Sequence, residues 1–250
     1  MASGRPTVEP QNFVLLDGLR GLGATLVLIG HIVLVLGPVV VPGGAVIVDL
    51  FFLLSGFVIA FSYEPRFATG MRAGEFMIHR IVRLYPLYLL GIVLGYLLLL
   101  LPAIGDADGA QRSWTLTLQF IPEVFVLPAP QSLGSHDAYP LNIPAWTLFF
   151  EFLVNLVYVL AFRWLRDTRV LAVVTVLCAL VLIATVLAVG GIDAGSNWST
   201  FWAGIGRAGF GFFAGVLCYR LLGKPTSTRQ PKTWWALVVL VGRPVACFLP

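Results

Sequence analysis

Charge is what this sequence has least of. Only 11% of its 250 residues are Asp, Glu, Lys or Arg, against about 25% in soluble domains. At 58% hydrophobic residues and a mean hydropathy of +0.91, the chain carries more apolar surface than a soluble core of this length uses. A soluble globular enzyme is therefore excluded, and a multi-pass membrane protein is expected. Cysteine is scarce as well. Cys178, Cys218 and Cys247 all sit in apolar runs, with neither metal-ligand spacing nor a disulfide framework, and read as small packing residues. The net charge of +4 is not a nucleic-acid signal, because the basic residues are distributed between apolar runs as membrane topology demands. Internal repeats, low-complexity tracts and a soluble domain are all missing. So is a signal peptide: residues 1–12 are polar with one Arg, and the apolar run that follows is too long for an h-region and lacks a small-x-small cleavage site.

What is present is a series of long apolar runs. A transmembrane helix needs about 20 apolar residues, and runs of that order lie at 13–37, 44–63, 82–101, 146–162, 170–190, 200–222 and 234–249. Seven spans are expected, forming an all-α helix bundle and a single integral-membrane domain over 1–250. The stretch 102–145 is a long connection. Within it 114–127 is apolar but short and interrupted by Pro122 and Glu123, so it is expected to be re-entrant or interfacial rather than a span. The chain ends in or just after its last apolar run, which contains Arg243-Pro244, and its C-terminus reads as shortened or altered.

Orientation follows from the Lys/Arg asymmetry of the loops. Arg5, Arg66, Arg72, Arg80, Arg83, Arg163, Arg166, Arg169, Arg220, Lys224, Arg229 and Lys232 fall on the side of the N-terminus, and only Arg112 falls opposite. The N-terminus is expected in the cytoplasm.

The few ionisable residues inside the runs are then the informative ones, because charge at bilayer depth is costly. Arg20 and His31 are eleven positions apart in the first run, which places them on one helical face ~16 Å apart along the axis. Asp17 is within side-chain reach of Arg20. Counting from the outer ends, His31, Asp49, Glu151 and Arg207 each lie ~8–10 Å deep, so four residues from four spans are expected in one outer layer. A second, cytoplasmic layer holds Arg20 with Arg80 and Arg83. These two open the third span three residues apart and are suited to gripping a phosphate pair; His79 and Arg72 lie nearby. Plainer readings stand beside these. Arg80 and Arg83 also suit positive-inside anchors, Asp17–Arg20 an interfacial ion pair, and His31 a helix-packing residue. His136 and Asp137 fall in a Gly/Ser/Pro-rich loop, for which a solvated role is the expectation.

Five blocks of residues resemble the acyltransferase family 3 membrane proteins. They are Leu16-Asp17-Gly18-Leu19-Arg20-Gly21 running to His31, similar to an Arg-x10-His pattern; Val48-Asp49-Leu50-Phe51-Phe52-Leu53-Leu54-Ser55-Gly56-Phe57; Arg80-Ile81-Val82-Arg83, similar to an Arg-x-x-Arg motif; Pro144-Ala145-Trp146-Thr147-Leu148-Phe149-Phe150-Glu151, with Thr147 where Ser is usual; and Arg207 to Gly215. The resemblance covers roughly residues 13–222. It implies transfer of an acyl group, often acetyl, from cytoplasmic acyl-CoA to a hydroxyl of an extracytoplasmic carbohydrate or similar acceptor. No permanently bound cofactor and no metal are implied. It gives catalytic roles to His31, Glu151 and Asp49, acyl-CoA binding to Arg20, Arg80 and Arg83, and support to Asp17, Arg207, Ser55 and Trp146. Family members usually have about ten spans, so the seven expected here imply a C-terminally shortened bundle. Two other classes remain open on the residues alone: a proton-coupled transporter, and an inactive truncated paralogue acting as an interaction protein.

Overall fold

The computed structural model describes residues 21, 25, 44–103 and 108–222. Six α-helices run through them: α1 Gly44–Ala68, α2 Ala73–Ala103, α3 Gly109–Val124, α4 Trp146–Leu165, α5 Thr168–Val189 and α6 Ala203–Leu222. Short 3-10 turns occur at Gln131–Leu133 and Ile143–Ala145. All of these helices except α3 are long and apolar enough to cross a membrane. The chain is thus an all-α multi-pass membrane bundle. The expected first and last spans, 13–37 and 234–249, lie outside the described residues.

Composition explains which helices are central. In α6 eight of the first thirteen residues are glycine or alanine, and twelve of the helix's residues are buried, Gly204, Gly206, Gly209, Gly211 and Gly215 among them. Small side chains let helix backbones approach closely where lipid offers no hydrophobic drive to association. The main seam is α1 against α6. A Cβ added at Gly56 would meet the Phe212 carbonyl oxygen, and one added at Gly215 would meet that of Leu53. At the periphery, α5 buries only Leu171 and Thr175 and exposes Val173, Val176, Leu180 and Leu187, the pattern of a helix with most of its surface in lipid. Its ends are sharply set: the Asp167 carboxylate accepts from the Arg169 backbone N–H at 2.8 Å, and Gly190 closes the other end in the left-handed conformation at φ 80°.

One expectation changes. The helix around Arg80 starts at Ala73, about nine residues before the expected span, so Arg80 and Arg83 lie in its body rather than at its opening. At 31 residues α2 is ~46 Å long, well beyond the ~30 Å hydrocarbon core, and the excess is the amphipathic first turns that hydropathy alone passes over. The stretch expected to be re-entrant or interfacial is the sixteen-residue helix α3, starting at Gly109. It is too short to span, so α4 keeps the expected direction.

The helix ends fall on two sides. Arg66, Arg72, Arg163, Arg166, Arg169 and Arg220 mark the side where α1, α4 and α6 end and where α2 and α5 begin. The opposite side carries α3 and two loops, 125–145 and 190–202. These loops are knitted together. Asp137 and Asn197 form an antiparallel bridge, Ala138 N–H donates to the Ser196 carbonyl at 3.0 Å, and Trp198 N–H donates to that of His136 at 3.0 Å. Tyr139, fully buried, donates from its hydroxyl to the Val126 carbonyl at 2.9 Å.

Candidate active site

Three polar junctions cross the bundle at different heights along α1. Asp49 stands near one end, Ser55 ~9 Å further along, and Glu64 ~13 Å beyond that. Each meets a different arrangement of helices.

The middle junction is the most concentrated. Arg80 on α2 donates through Nη2 to Glu151 Oε1 on α4 at 2.6 Å. The same oxygen receives the Ser55 hydroxyl from α1 and, at 3.2 Å, the Asn155 side-chain amide one turn along α4. Three donors from three helices thus converge on one carboxylate oxygen. Arg80 is 7% exposed and Asn155 fully buried, so the group sits in low dielectric, where an ion pair persists only with such support. Two of its polar atoms, Arg80 Nε and Asn155 Oδ1, are buried with no partner among the described residues. Unpaired buried polar atoms are rare in native proteins. Here they flank a carboxylate whose second oxygen, Oε2, has no hydrogen bond among the described residues.

The second junction joins Asp49 to Arg207. Arg207 is 2% exposed and uses all three of its nitrogens. Nε donates to Asp49 Oδ1 at 2.9 Å, Nη1 to the Ala194 carbonyl at 2.7 Å, and Nη2 to the Ala45 carbonyl at 2.7 Å. Its guanidinium also lies 5.1 Å from the centroid of the Trp146 ring. One side chain thereby fastens α6 to the start of α1, to the 190–202 loop and to the first residue of α4. The third junction is near the basic side. Arg220 donates to Glu64 Oε1 through Nε at 2.8 Å and Nη2 at 2.6 Å, and the Tyr158 hydroxyl donates to the same oxygen at 2.7 Å.

These positions correct the expected layers. Asp49 and Arg207 do share a level and pair with each other. Glu151 does not join them, because its partner is Arg80, which had been assigned to the opposite layer. Counting residues from span ends measures Cα depth, and a guanidinium on a long stem acts at a different depth from its own Cα. Arg80 and Arg83 are not a matched pair either: Arg80 is buried on Glu151, while Arg83 is exposed. Arg207, placed in the outer layer as a supporting residue, has all three of its nitrogens engaged. Ser55 hydrogen-bonds to Glu151, and the Trp146 ring centroid lies 5.1 Å from the Arg207 guanidinium. Asp17, Arg20 and His31 fall outside the described residues.

Sequence reasoning missed Asn155, Glu64, Arg220 and the α3 carboxyl Glu123 as partners. Asn155 was legible as a polar residue one turn after Glu151 on an apolar helix. Glu123, at the end of α3, is fully buried. Its Oε1 accepts from the Leu141 N–H at 3.3 Å, and Oε2 has no partner among the described residues. Burial pushes its pKa up to about 8, against the smaller lowering effect of the Leu141 N–H. The Tyr88 hydroxyl donates to its backbone carbonyl, and that of Tyr85 to the Val124 carbonyl at 2.9 Å, so α2 holds the end of α3 in place.

Two cavities lie on opposite sides of the bundle. One, of about 480 Å³, is lined by Arg66, Thr69, Gly70, Met71, Glu75 and His79 at the α1–α2 turn on the basic side. The other, of about 380 Å³, is lined by Gln131, Gly134, Ser135, His136, Trp198 and Ser199 in the knitted loops.

Comparison with known proteins agrees with this architecture. The acyltransferase domain family (Acyl_transf_3) matches residues 13–250. Protein 2 in the picA locus of Rhizobium radiobacter is 37% identical over 164 residues, covering 62% of this chain and 83% of that protein. The exopolysaccharide production protein ExoZ of Rhizobium meliloti (strain 1021) is 32% identical over 148 residues, covering 58% of this chain and 43% of ExoZ. No solved structure matches. With its family match spanning nearly the whole sequence and its apolar helices placed as a membrane bundle requires, the chain belongs to acyltransferase family 3.

Proposed function

We propose that this protein is an O-acyltransferase of the cell's inner membrane, N-terminus in the cytoplasm, that moves an acetyl group from cytoplasmic acyl-CoA to a hydroxyl of an extracytoplasmic polysaccharide. The observation that carries the reading is the Arg80–Glu151–Ser55–Asn155 junction, a buried carboxylate held by three donors between a cavity on each side of the bundle. The polysaccharide acceptor is supported by similarity to ExoZ, a protein named for exopolysaccharide production.

The cytoplasmic cavity receives the nucleotide end of CoA. Arg66 and His79 line it, and Arg83 lies one helical turn beyond His79, where it meets phosphate with Arg20. The pantetheine arm extends inward and brings the thioester to His31. Glu151, fixed through Oε1, is assigned to orienting the neutral imidazole and stabilising the charged form it takes once it has accepted a proton. His31 takes the proton of the acceptor hydroxyl as its oxygen attacks the thioester carbonyl. Collapse of the tetrahedral intermediate breaks the C–S bond, and the imidazolium returns the proton to the CoA thiolate. In the alternative, a His31 ring nitrogen attacks the thioester carbonyl and displaces the CoA thiolate, which takes the ring's proton; the acceptor hydroxyl then attacks the acyl-imidazole, and the C–N bond breaks as the hydroxyl proton returns to the ring. Arg80 is assigned to positioning Glu151, and Asp49 with Arg207 to fastening helices.

The test uses membranes containing the full chain, labelled acetyl-CoA and the cell's exported polysaccharide. Wild type transfers label to polysaccharide, and His31→Ala abolishes transfer while its level in membranes stays near wild type. Normal transfer by His31→Ala would overturn the catalytic assignment.

A further inference from the structure

We propose that the cleft between residues 131–136 and 198–199 is the binding subsite for the carbohydrate acceptor, with Trp198 as its aromatic platform. The proposal rests on the acyltransferase reading above, and assigns the acceptor to a particular place.

The chemistry of the lining selects the ligand. Gln131, Ser135, His136 and Ser199 supply an amide, two hydroxyls and an imidazole, beside the indole of Trp198. Among the described residues, no acidic, lysine or arginine side chain lines the cleft, so none of them compensates a phosphate or a metal ion there. A mixed set of neutral donors and acceptors next to a flat aromatic face suits a polyhydroxylated ring, whose C–H face packs on the indole while its hydroxyls reach the polar groups. About 380 Å³ lies at the small end of the ~300–1,000 Å³ range of ligand sites, room for a sugar ring or a short stretch of chain. Gln131, Gly134, His136 and Ser199 are exposed, so the cleft is open-sided, as a polymer passing through requires. The indole Nε1–H of Trp198 is buried and has no acceptor among the described residues.

The cleft is also rigid and connected to the interior. Trp198 packs on Phe201 at 5.5 Å between ring centroids, and Phe201 packs on Phe150 at 5.0 Å, one residue before Glu151. The 190–202 loop is tied down by the Arg207–Ala194 hydrogen bond and by Gly195, which leaves no room for a Cβ against the Trp146 ring. Gly134, at φ 81°, turns the chain so that Ser135 and His136 face the second loop. The whole lies on the side opposite the arginine-rich helix ends, where an exported acceptor arrives.

The experiment measures binding and transfer separately, with the full chain in detergent micelles. The probe is a set of oligosaccharides released by mild acid from the host cell's own extracellular polysaccharide. Wild type binds the probe saturably. Trp198→Ala and, as a surface change that does not threaten folding, Gln131→Ala each weaken binding by about tenfold, and each raises the acceptor KM while leaving the KM for acyl-CoA as it was. Trp198→Phe keeps the platform and loses the N–H donor, and falls between. Failure of wild type to bind, or binding and acceptor KM unchanged in both Trp198→Ala and Gln131→Ala, overturns the subsite. Binding lost in those variants in a protein that transfers no label would keep the subsite and overturn the acyltransferase reading instead.

Discussion

Arg80 and Glu151 are 71 positions apart in sequence and 2.6 Å apart in the bundle, the guanidinium of one helix closing on the carboxylate of another. Both would be expensive alone at that depth. Their pairing gives α2 and α4 a fixed relation exactly where the family resemblance locates two of its motifs. Removing one partner strands the other. Arg80→Met is expected to cost ~3–5 kcal/mol, the usual loss on orphaning a buried charge. The double variant Arg80→Met with Glu151→Gln recovers part of it. Thermal midpoints of the purified protein in detergent, measured for the two single variants and the double, give the coupling energy. Additive losses would mean the pair is not a unit.

A different outcome is expected at Asp49. Its partner Arg207 also binds two backbone carbonyls, so the junction works as a fastening between α1, α6 and the 190–202 loop. Asp49→Asn should lower stability by ~1–3 kcal/mol and reduce transfer only in proportion to the folded protein lost. Activity normalised to the monodisperse fraction on size exclusion checks this. A well-folded Asp49→Asn protein with no activity would return Asp49 to the chemistry.

Glu123 sets a pH dependence of stability. Its folded pKa of about 8 stands above the ordinary carboxyl value of 4.5. Below ~4.5 the carboxyl is protonated in both states and its burial carries no ionisation penalty. As pH rises from there toward 8 the unfolded chain loses the proton and the folded one keeps it, so stability falls across the window and the loss levels off above the folded pKa. Glu123→Gln keeps an oxygen for the Leu141 N–H and cannot ionise. It should match wild type near pH 5 and exceed it in thermal midpoint near pH 9, in a melting series in detergent. Parallel curves for the two proteins would sink this account.

Much of the architecture was legible because hydropathy reads helices well when charge is rare. The runs at 44–63, 146–162, 170–190 and 200–222 each became a helix within a few residues of the expected bounds. The exception was α2, whose first turns are polar enough to lie outside an apolar run yet helical throughout. The site was legible as a set of residue types and not as a set of partners. Asp49 with Arg207 could be paired by depth, since both helices run in the same direction and both residues lie near the same end. Arg80 with Glu151 could not, because their Cα positions are at unlike depths and the contact is made by side-chain reach. Loop contacts such as Trp198 with His136 depend on two turns folding against each other, which no periodicity encodes.

The glycines offer a graded test of the α1–α6 seam, because what a Cβ would strike differs from one to the next. At Gly74 nothing lies within 4 Å, and Gly74→Ala should be neutral or slightly stabilising, by up to ~1 kcal/mol of helix propensity. At Gly91 the obstacle is the Asn142 side-chain amide at 2.9 Å. That group can swing aside, so Gly91→Ala should cost little. At Gly56 and Gly215 the obstacle is a backbone carbonyl of the facing helix, which cannot yield without moving the helix. Gly56→Ala and Gly215→Ala should each cost more than the ~1–3 kcal/mol usual for overpacking a core. Parting the helices would also strain Arg207–Asp49 and Arg220–Glu64, the ion pairs at the two ends of the same seam. The recovered monodisperse fraction after extraction should therefore fall in the order Gly74→Ala, Gly91→Ala, then the two seam variants. Recovery of Gly56→Ala and Gly215→Ala at the level of Gly74→Ala would show that α1 and α6 do not meet as closely as this seam requires.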